Sequence, residues 1–208
     1  MKPYYSDDLV TIYHGDARDL LLPGVEGFDV IVTDPPYGMA YESGWSGRSI
    51  ANDDDTSVRD AVLDAWNGPA LVFGRWSAPR PKRTRHVLIW DKGDWPGMGD
   101  LSLPWGPSTE EIYVIGRGFM GPRRGSILRD PHRPSGDDHP NRKPPALMAR
   151  LIDACPPEWV VLDPFMGSGS TIEAAKAAGR RAIGIELDEA WCEVAARRCS
   201  QEVLGLAV

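Results

Sequence analysis

The stretch from Val160 to Glu186 leaves this chain few folds to choose from. An apolar, β-branched run, Val160-Val161-Leu162, ends in Asp163, and a glycine-bearing turn follows it. Ser170-Thr171 then opens a helical pattern that reaches Ala178, with Gly179 at the position just past the helix. A second apolar run, Ala182–Ile185, ends in Glu186. The same alternation of β-branched runs and helical patterns recurs along the chain, which predicts an α/β fold with a largely parallel sheet. Strands are expected at Leu9–Tyr13, Val30–Thr33, Ala70–Phe73, His86–Trp90, Ile112–Ile115, Val160–Leu162 and Ala182–Ile185. Helices are expected at Val58–Trp66, Ala146–Ala154, Ser170–Ala178 and Glu189–Gln201, the last capped by Asp188. In that last helix Trp191, Val194, Ala195 and Cys199 recur at helical spacing and form a core face. Two stretches resist regular structure: Gly38–Ser57, rich in Gly, Ser and Asp, and Arg117–Lys143, rich in Arg, Pro and Gly.

The glycine turn has the chemistry of a nucleotide-type site. Glycines let a ligand approach the backbone, and a helix N-terminus offers N–H groups without intrahelical partners. Glu186 lies 23 residues after Asp163 at the end of the next strand, placed to bind ribose hydroxyls. The turn nevertheless departs from the dinucleotide fingerprint, because after Gly167 and Gly169 the third small position is Ile172. No Gly-x-x-x-x-Gly-Lys-Ser/Thr loop occurs, so ATP hydrolysis is not supported. An adenosine ligand without a pyrophosphate fits better.

A second strand end carries a different chemistry. Val30-Ile31-Val32-Thr33 runs into Asp34-Pro35-Pro36-Tyr37-Gly38. The prolines stiffen the turn and remove two N–H donors, leaving carbonyls as acceptors. That suits a planar amino group: Asp34 accepts one N–H, the Pro35 carbonyl accepts the other, and Tyr37 stacks on the ring. Asp-Pro-Pro is also good turn chemistry, so the motif taken alone reads equally as a strand-ending turn.

Charge bears on the partner. The chain carries −7 overall, yet Arg75–Lys92 and Arg117–Arg150 each carry +5, leaving −17 on the rest. The two basic stretches suit a phosphate backbone, with the acidic remainder facing solvent. Cys155, Cys192 and Cys199 show no Cys-x-x-Cys spacing, so no metal site or disulfide framework is expected, only small buried hydrophobes. No run approaches a membrane span, and the first residues lack the apolar segment of a signal peptide; a cytoplasmic location and no membrane contact are the expectation.

Taken together these motifs resemble the β-class amino-methyltransferases of DNA, which act on N6 of adenine or N4 of cytosine, and the resemblance covers nearly the whole chain. Asp34-Pro35-Pro36-Tyr37 looks like the catalytic motif of that family, and Asp163-Pro164-Phe165-Met166-Gly167-Ser168-Gly169-Ser170-Thr171 like its S-adenosylmethionine loop. His139-Pro140-Asn141-Arg142-Lys143-Pro144 resembles the segment before the helix that enters this loop. His14-Gly15-Asp16 is similar to the acidic position beside the cofactor adenine. Trp90-Asp91-Lys92 and Glu110-Glu111-Ile112-Tyr113-Val114 match weaker patterns. The catalytic motif precedes the cofactor motif by about 130 residues, a permuted order diagnostic of the class.

The resemblance implies a Rossmann-like methyltransferase sheet with helices on both faces, in circularly permuted motif order, as one domain over residues 1–208. It implies S-adenosylmethionine as cofactor, held by Asp16, Asn141, Lys143, Asp163, Phe165, Gly167, Ser168, Gly169, Ser170, Thr171 and Glu186. It implies Asp34, Pro35, Pro36 and Tyr37 as the catalytic group, with adenine favoured because cytosine enzymes of the family more often carry Ser where Asp34 stands. Double-stranded DNA with a flipped base is the implied partner, a homodimer the suggested assembly, and restriction-modification the implied setting. The family's target-recognition region falls here at about residues 117–138, a very short interval. No covalent cysteine intermediate is expected, because no Pro-Cys nucleophile motif occurs.

Overall fold

The seven expected strands and four expected helices all form close to their predicted ends. The computed structural model describes residues 2–21, 26–36, 55–93, 99, 101–131 and 142–201. Its strands are β1 (Tyr5–Ser6), β2 (Val10–His14), β3 (Val30–Thr33), β4 (Ala70–Gly74), β5 (Thr84–Asp91), β6 (Thr109–Ile115), β7 (Ile127–Arg129), β8 (Val161–Asp163) and β9 (Ala182–Glu186). Its helices are α1 (Ala17–Leu21), α2 (Ser57–Ala65), α3 (Pro145–Asp153), α4 (Ser170–Ala177) and α5 (Glu189–Ser200). The strands form a single sheet in the order β1-β2-β9-β8-β3-β4-β6-β5-β7. Pairing is parallel from β2 through β4, whereas β6 runs antiparallel between β4 and β5.

Successive strand side chains point to opposite faces, and here both faces are covered. Val30 and Val32 of β3, with Leu71 and Phe73 of β4, pack in one cluster with residues of α3, α4 and α5. Ile31, Ala70 and Val72, the alternate positions, pack in a second cluster with Ala17 of α1 and Val62 and Leu63 of α2. This explains why the central strands read as unbroken apolar runs. Asp188 caps α5 as expected, accepting from the Ala190 N–H at 2.9 Å, and Gly179 takes the left-handed conformation past α4 with φ +67°. All three cysteines are buried free thiols.

One expectation needs correcting. The Arg117–Lys143 stretch is not wholly irregular: Ile127–Arg129 forms β7, parallel to β5, and the Ile89 N–H donates to the Ser126 carbonyl at 2.8 Å. Only Leu128 of its three side chains is buried, so the strand leaves no periodic trace in the sequence. Much of the rest of that stretch, like Gly38–Asp54, lies outside the described residues.

The connectivity fixes where a ligand can sit. From β8 the chain passes through α4 to β9 on one side; from β3 it passes by way of α2 to β4 on the other. β8 and β3 are neighbours, with Ile31 opposite Leu162, so the chain leaves this pair in opposite directions. A crevice opens at the carboxyl ends of strands where such a switch occurs.

Candidate functional site

Both sequence motifs converge on that crevice. Asp163 ends β8 and Asp34 follows β3, and the Thr33 hydroxyl donates to Asp163 Oδ1 at 2.6 Å across 130 residues of chain. Next along the edge comes Glu186 at the end of β9, then Asp16 beyond β2; His14 lies opposite Glu186 in register, and the Gly15 N–H donates to the Glu186 carbonyl. Asp16, Glu186, Asp163 and Asp34 therefore line one edge of the sheet in an order unrelated to their order in the sequence.

On the β2–β9–β8 side, backbone N–H groups hold most of the carboxylates. Glu186 Oε2 accepts from the Gly167 N–H and Oε1 from the Asp188 N–H, each at 2.8 Å. Burial raises the Glu186 pKa above the usual carboxylate value despite these bonds. Asp163 is 2% exposed and takes hydrogen bonds from the Thr171 and Thr33 hydroxyls and the Phe165 N–H; desolvation still pushes its pKa up to about 6. Asp16 accepts from both the backbone and the guanidinium of Arg18, which lowers its pKa.

The glycine turn between them is built for two different reasons. Gly167 is left-handed at φ +52°, and a Cβ there would meet nothing within 4 Å, so its backbone lies open on one side. Gly169 is left-handed at φ +88°, but a Cβ there would lie 2.9 Å from the Ala195 side chain of α5. Packing, rather than ligand approach, requires glycine at that second position. An open turn, a helix N-terminus at Ser170 and a Glu186 carboxylate with a lone pair beyond its backbone bonds fit an adenosine-type cofactor with a ribose diol.

On the β3–β4–β6–β5 side, side chains replace the backbone. Lys143, buried to 7% exposure just before α3, places its Nζ 2.6 Å from Asp34 Oδ2 and 3.0 Å from Glu110 Oε2. Glu110 Oε1 in turn lies 2.5 Å from Lys92 Nζ. The result is a row of alternating charges, Asp34–Lys143–Glu110–Lys92, with no net charge. The Lys143 ammonium also sits 4.9 Å from the Phe73 ring and 5.8 Å from the Trp90 ring, within cation–π range. Burial opposes the charged lysine, but Asp34 and then Glu110 outweigh it and raise the Lys143 pKa. Burial likewise opposes the charged Glu110, and Lys143 and Lys92 reverse the effect and lower its pKa. Strand alternation sends the next residue, Glu111, to the opposite face, where it pairs with Arg80 at 2.6 Å.

Most residues expected from the sequence reach this edge. Pro35 is buried and Pro36 half-buried beside Asp34; Phe165 packs against the α1–α2 side of the sheet; Ser168 is buried, its carbonyl bonded by Arg198. The structure brings Lys143 to Asp34 and Glu110. Tyr37, Asn141 and His139 lie outside the described residues. Thr33 and the Glu110–Lys92 pair were not anticipated as members of the site. Glu110 and Lys92 stood in weakly matching motifs, and nothing in their spacing shows that they meet.

The same edge carries exposed apolar side chains. Trp76 follows β4 at 78% exposure, and Leu101, Leu103 and Trp105 in the β5–β6 connection are 79%, 55% and 79% exposed. β6 is antiparallel to both β4 and β5, so these connections leave the carboxyl ends of parallel strands, on the side where Asp34 lies. Among the described residues no helix is long and apolar enough to cross a membrane.

Comparison with known proteins agrees with this geometry. A family described as DNA methylase, of N6/N4 methyltransferase type, matches residues 77–197. The type II methyltransferase M.ScaI of Streptomyces caespitosus is 27% identical over 268 residues, spanning 99% of this chain and 86% of that protein. Two solved structures share the fold: M1.HpyAVI in complex with SAM, with TM-score 0.62, 24% identity and coverage of 91% of this chain and 100% of the other; and the cytosine-N4-specific PvuII DNA methyltransferase, with TM-score 0.74, 16% identity and coverage of 98% and 90%.

Proposed function

The chain belongs to the N6/N4 DNA methylase family, and from that premise we propose that it transfers a methyl group from S-adenosylmethionine to the exocyclic amino group of a flipped DNA base, adenine N6. The observation that carries this reading is the Thr33–Asp163 hydrogen bond, which joins the catalytic strand end to the cofactor strand end. Glu186 would take the ribose hydroxyls, and the open Gly167 turn with the α4 N-terminus the methionine portion. Asp16 and Phe165 would flank the adenine. When bound, the cofactor supplies an electrophilic methyl carbon on a sulfonium.

An aromatic amine is a poor nucleophile because its lone pair is delocalised into the ring. Asp34 and the Pro35 carbonyl accept its two N–H groups and favour the pyramidal form with a localised pair. The localised pair would form the new C–N bond to that carbon as its bond to sulfur breaks, and the nitrogen would shed one proton to solvent. Orientation and stabilisation of the positive charge developing on nitrogen supply most of the acceleration. Flipping the base costs a few kcal/mol, and stacking on Tyr37 returns about 1–3 kcal/mol. The exposed Trp76, Leu101, Leu103 and Trp105 face the DNA on this reading, where apolar side chains can occupy disrupted base steps.

The test is methylation of unmodified DNA by the purified protein, read by nucleoside mass spectrometry. N6-methyladenine is expected, and Asp34→Ala should lower its formation at least about 1,000-fold while cofactor affinity stays within about threefold. N4-methylcytosine would keep the mechanism and change the base. No methylated base in DNA, with cofactor bound, would overturn the proposal.

A further inference from the structure

Lys143 is in an unusual position for a lysine. It is almost fully buried, its ammonium is held between two carboxylates and two aromatic rings, and it reaches the residue on which the chemistry depends. Lysine is seldom fully buried unless paired, and one buried cation shared by two partly exposed carboxylates is not needed to hold a fold together. Sequence alone groups Lys143 with the cofactor site. The geometry instead connects it to Asp34 through Oδ2, and it is itself oriented by Glu110 and, behind that, Lys92. Its neighbour Arg142 points the other way, to Glu173 of α4 at 2.6 Å, so the backbone at this point is fixed from both sides.

We propose that Lys143 is a positioning residue for methyl transfer, clamping Asp34 in its ionised form and in one orientation at the amine, with Glu110 setting how strongly it does so. The proposal rests on the methyltransferase reading for its catalytic consequence, but not for the clamp itself. An ionised Asp34 accepts one amine N–H in a charge-assisted hydrogen bond and stabilises the positive charge developing on nitrogen, whereas a protonated carboxyl is a weaker acceptor and carries no charge to offset it. Four described groups act on Asp34. Lys143 touches it, Glu110 touches that lysine from β6, Lys92 flanks Glu110 after β5, and Asp163 acts from β8. Of these four groups, Asp163 and Glu110 disfavour a charge on Asp34, and the two lysines favour it.

The experiment compares pH profiles of kcat at saturating cofactor and DNA, with cofactor affinity measured separately by calorimetry. Lys143→Met should lower kcat at least 100-fold near neutral pH and move the acidic limb up by one unit or more, with cofactor affinity changed less than threefold. Glu110→Gln should move the limb in the opposite direction, because it removes a negative charge that works against Asp34. If Lys143→Met folds poorly, Lys143→Met with Glu110→Gln removes one of the two carboxylates that the methionine would strand and should still show the upward shift. An unmoved acidic limb, or cofactor affinity falling by the same factor as kcat, overturns the clamp and leaves Lys143 a structural or cofactor residue. Should the wild-type protein methylate no DNA, the functional reading fails first. Difference infrared titration of the Asp34 carboxylate, wild type against Lys143→Met, then still decides the clamp.

Discussion

The two halves of the carboxyl edge hold their acidic residues by different means. On the β2–β9–β8 side, Glu186 and Asp163 accept from backbone N–H groups, and Asp163 also from hydroxyls of the same strand-turn-helix or its neighbour. On the β3–β4–β6–β5 side, Asp34 and Glu110 are held by ammonium groups arriving from separate segments. Backbone donors come with the local fold and cannot swing away. Side-chain cations must be gathered by tertiary packing, and they respond to every charge placed near them. The first arrangement suits a site for a constant ligand; the second suits a carboxylate whose ionisation has to be controlled. Adjacent residues Arg142 and Lys143 join the halves, one paired with α4 and the other with Asp34.

Severing the backbone-held side should have the largest effect. Glu186→Ala removes the acceptor of the Gly167 and Asp188 N–H groups together with the proposed ribose contact, and cofactor affinity should fall about 100-fold, from lost charge-assisted hydrogen bonds. DNA affinity measured without cofactor should stay the same; a matching loss there would show that the halves are not separable.

Asp163→Asn sharpens the comparison through pH. Burial raises the folded-state pKa of this acid from 3.8 to about 6, so the folded protein binds its proton more tightly than the unfolded chain. Stability associated with Asp163 is therefore highest below the lower value and declines as pH rises through the higher one. Against wild type, the Asn variant should gain about 1–3 kcal/mol above pH 6 or so and lose that gain near pH 4. Thermal unfolding at several pH values reads the difference, and a pH-independent offset would mean that Asp163 is ionised in both states throughout.

Thr33→Val removes the one described hydrogen bond from the catalytic strand end to Asp163. A loss of about 1 kcal/mol in chemical denaturation is expected, with a fall in kcat that exceeds any change in cofactor affinity. Equal changes in both would place Thr33 with the cofactor side alone. The smallest effect belongs to Trp105→Ala. This exposed side chain should matter little to stability, within about 0.5 kcal/mol, and its loss should weaken DNA binding three- to fivefold, or about 0.6–1 kcal/mol. Fluorescence anisotropy with duplex DNA measures it, and unchanged affinity would remove that connection from the DNA-facing surface.

Sequence alone determined what is local. The run from Val160 to Glu186 dictated its own strand, turn, helix and strand, because apolar periodicity and left-handed glycines act within a few residues of one another. Asp34-Pro35-Pro36 marked a strand end for the same reason. Short elements with at most one buried side chain, such as β7 and β1, fell below what a pattern can show. Only the tertiary structure decided the direction of β6, the joining of Thr33 to Asp163, and the meeting of Lys143 with Asp34 and Glu110. The physical reason is range. Propensity and periodicity act over a turn of helix or a pair of strand residues, whereas a buried charge finds its partner only after the sheet has brought residues 34, 92, 110 and 143 to one edge and excluded the water that would otherwise solvate them.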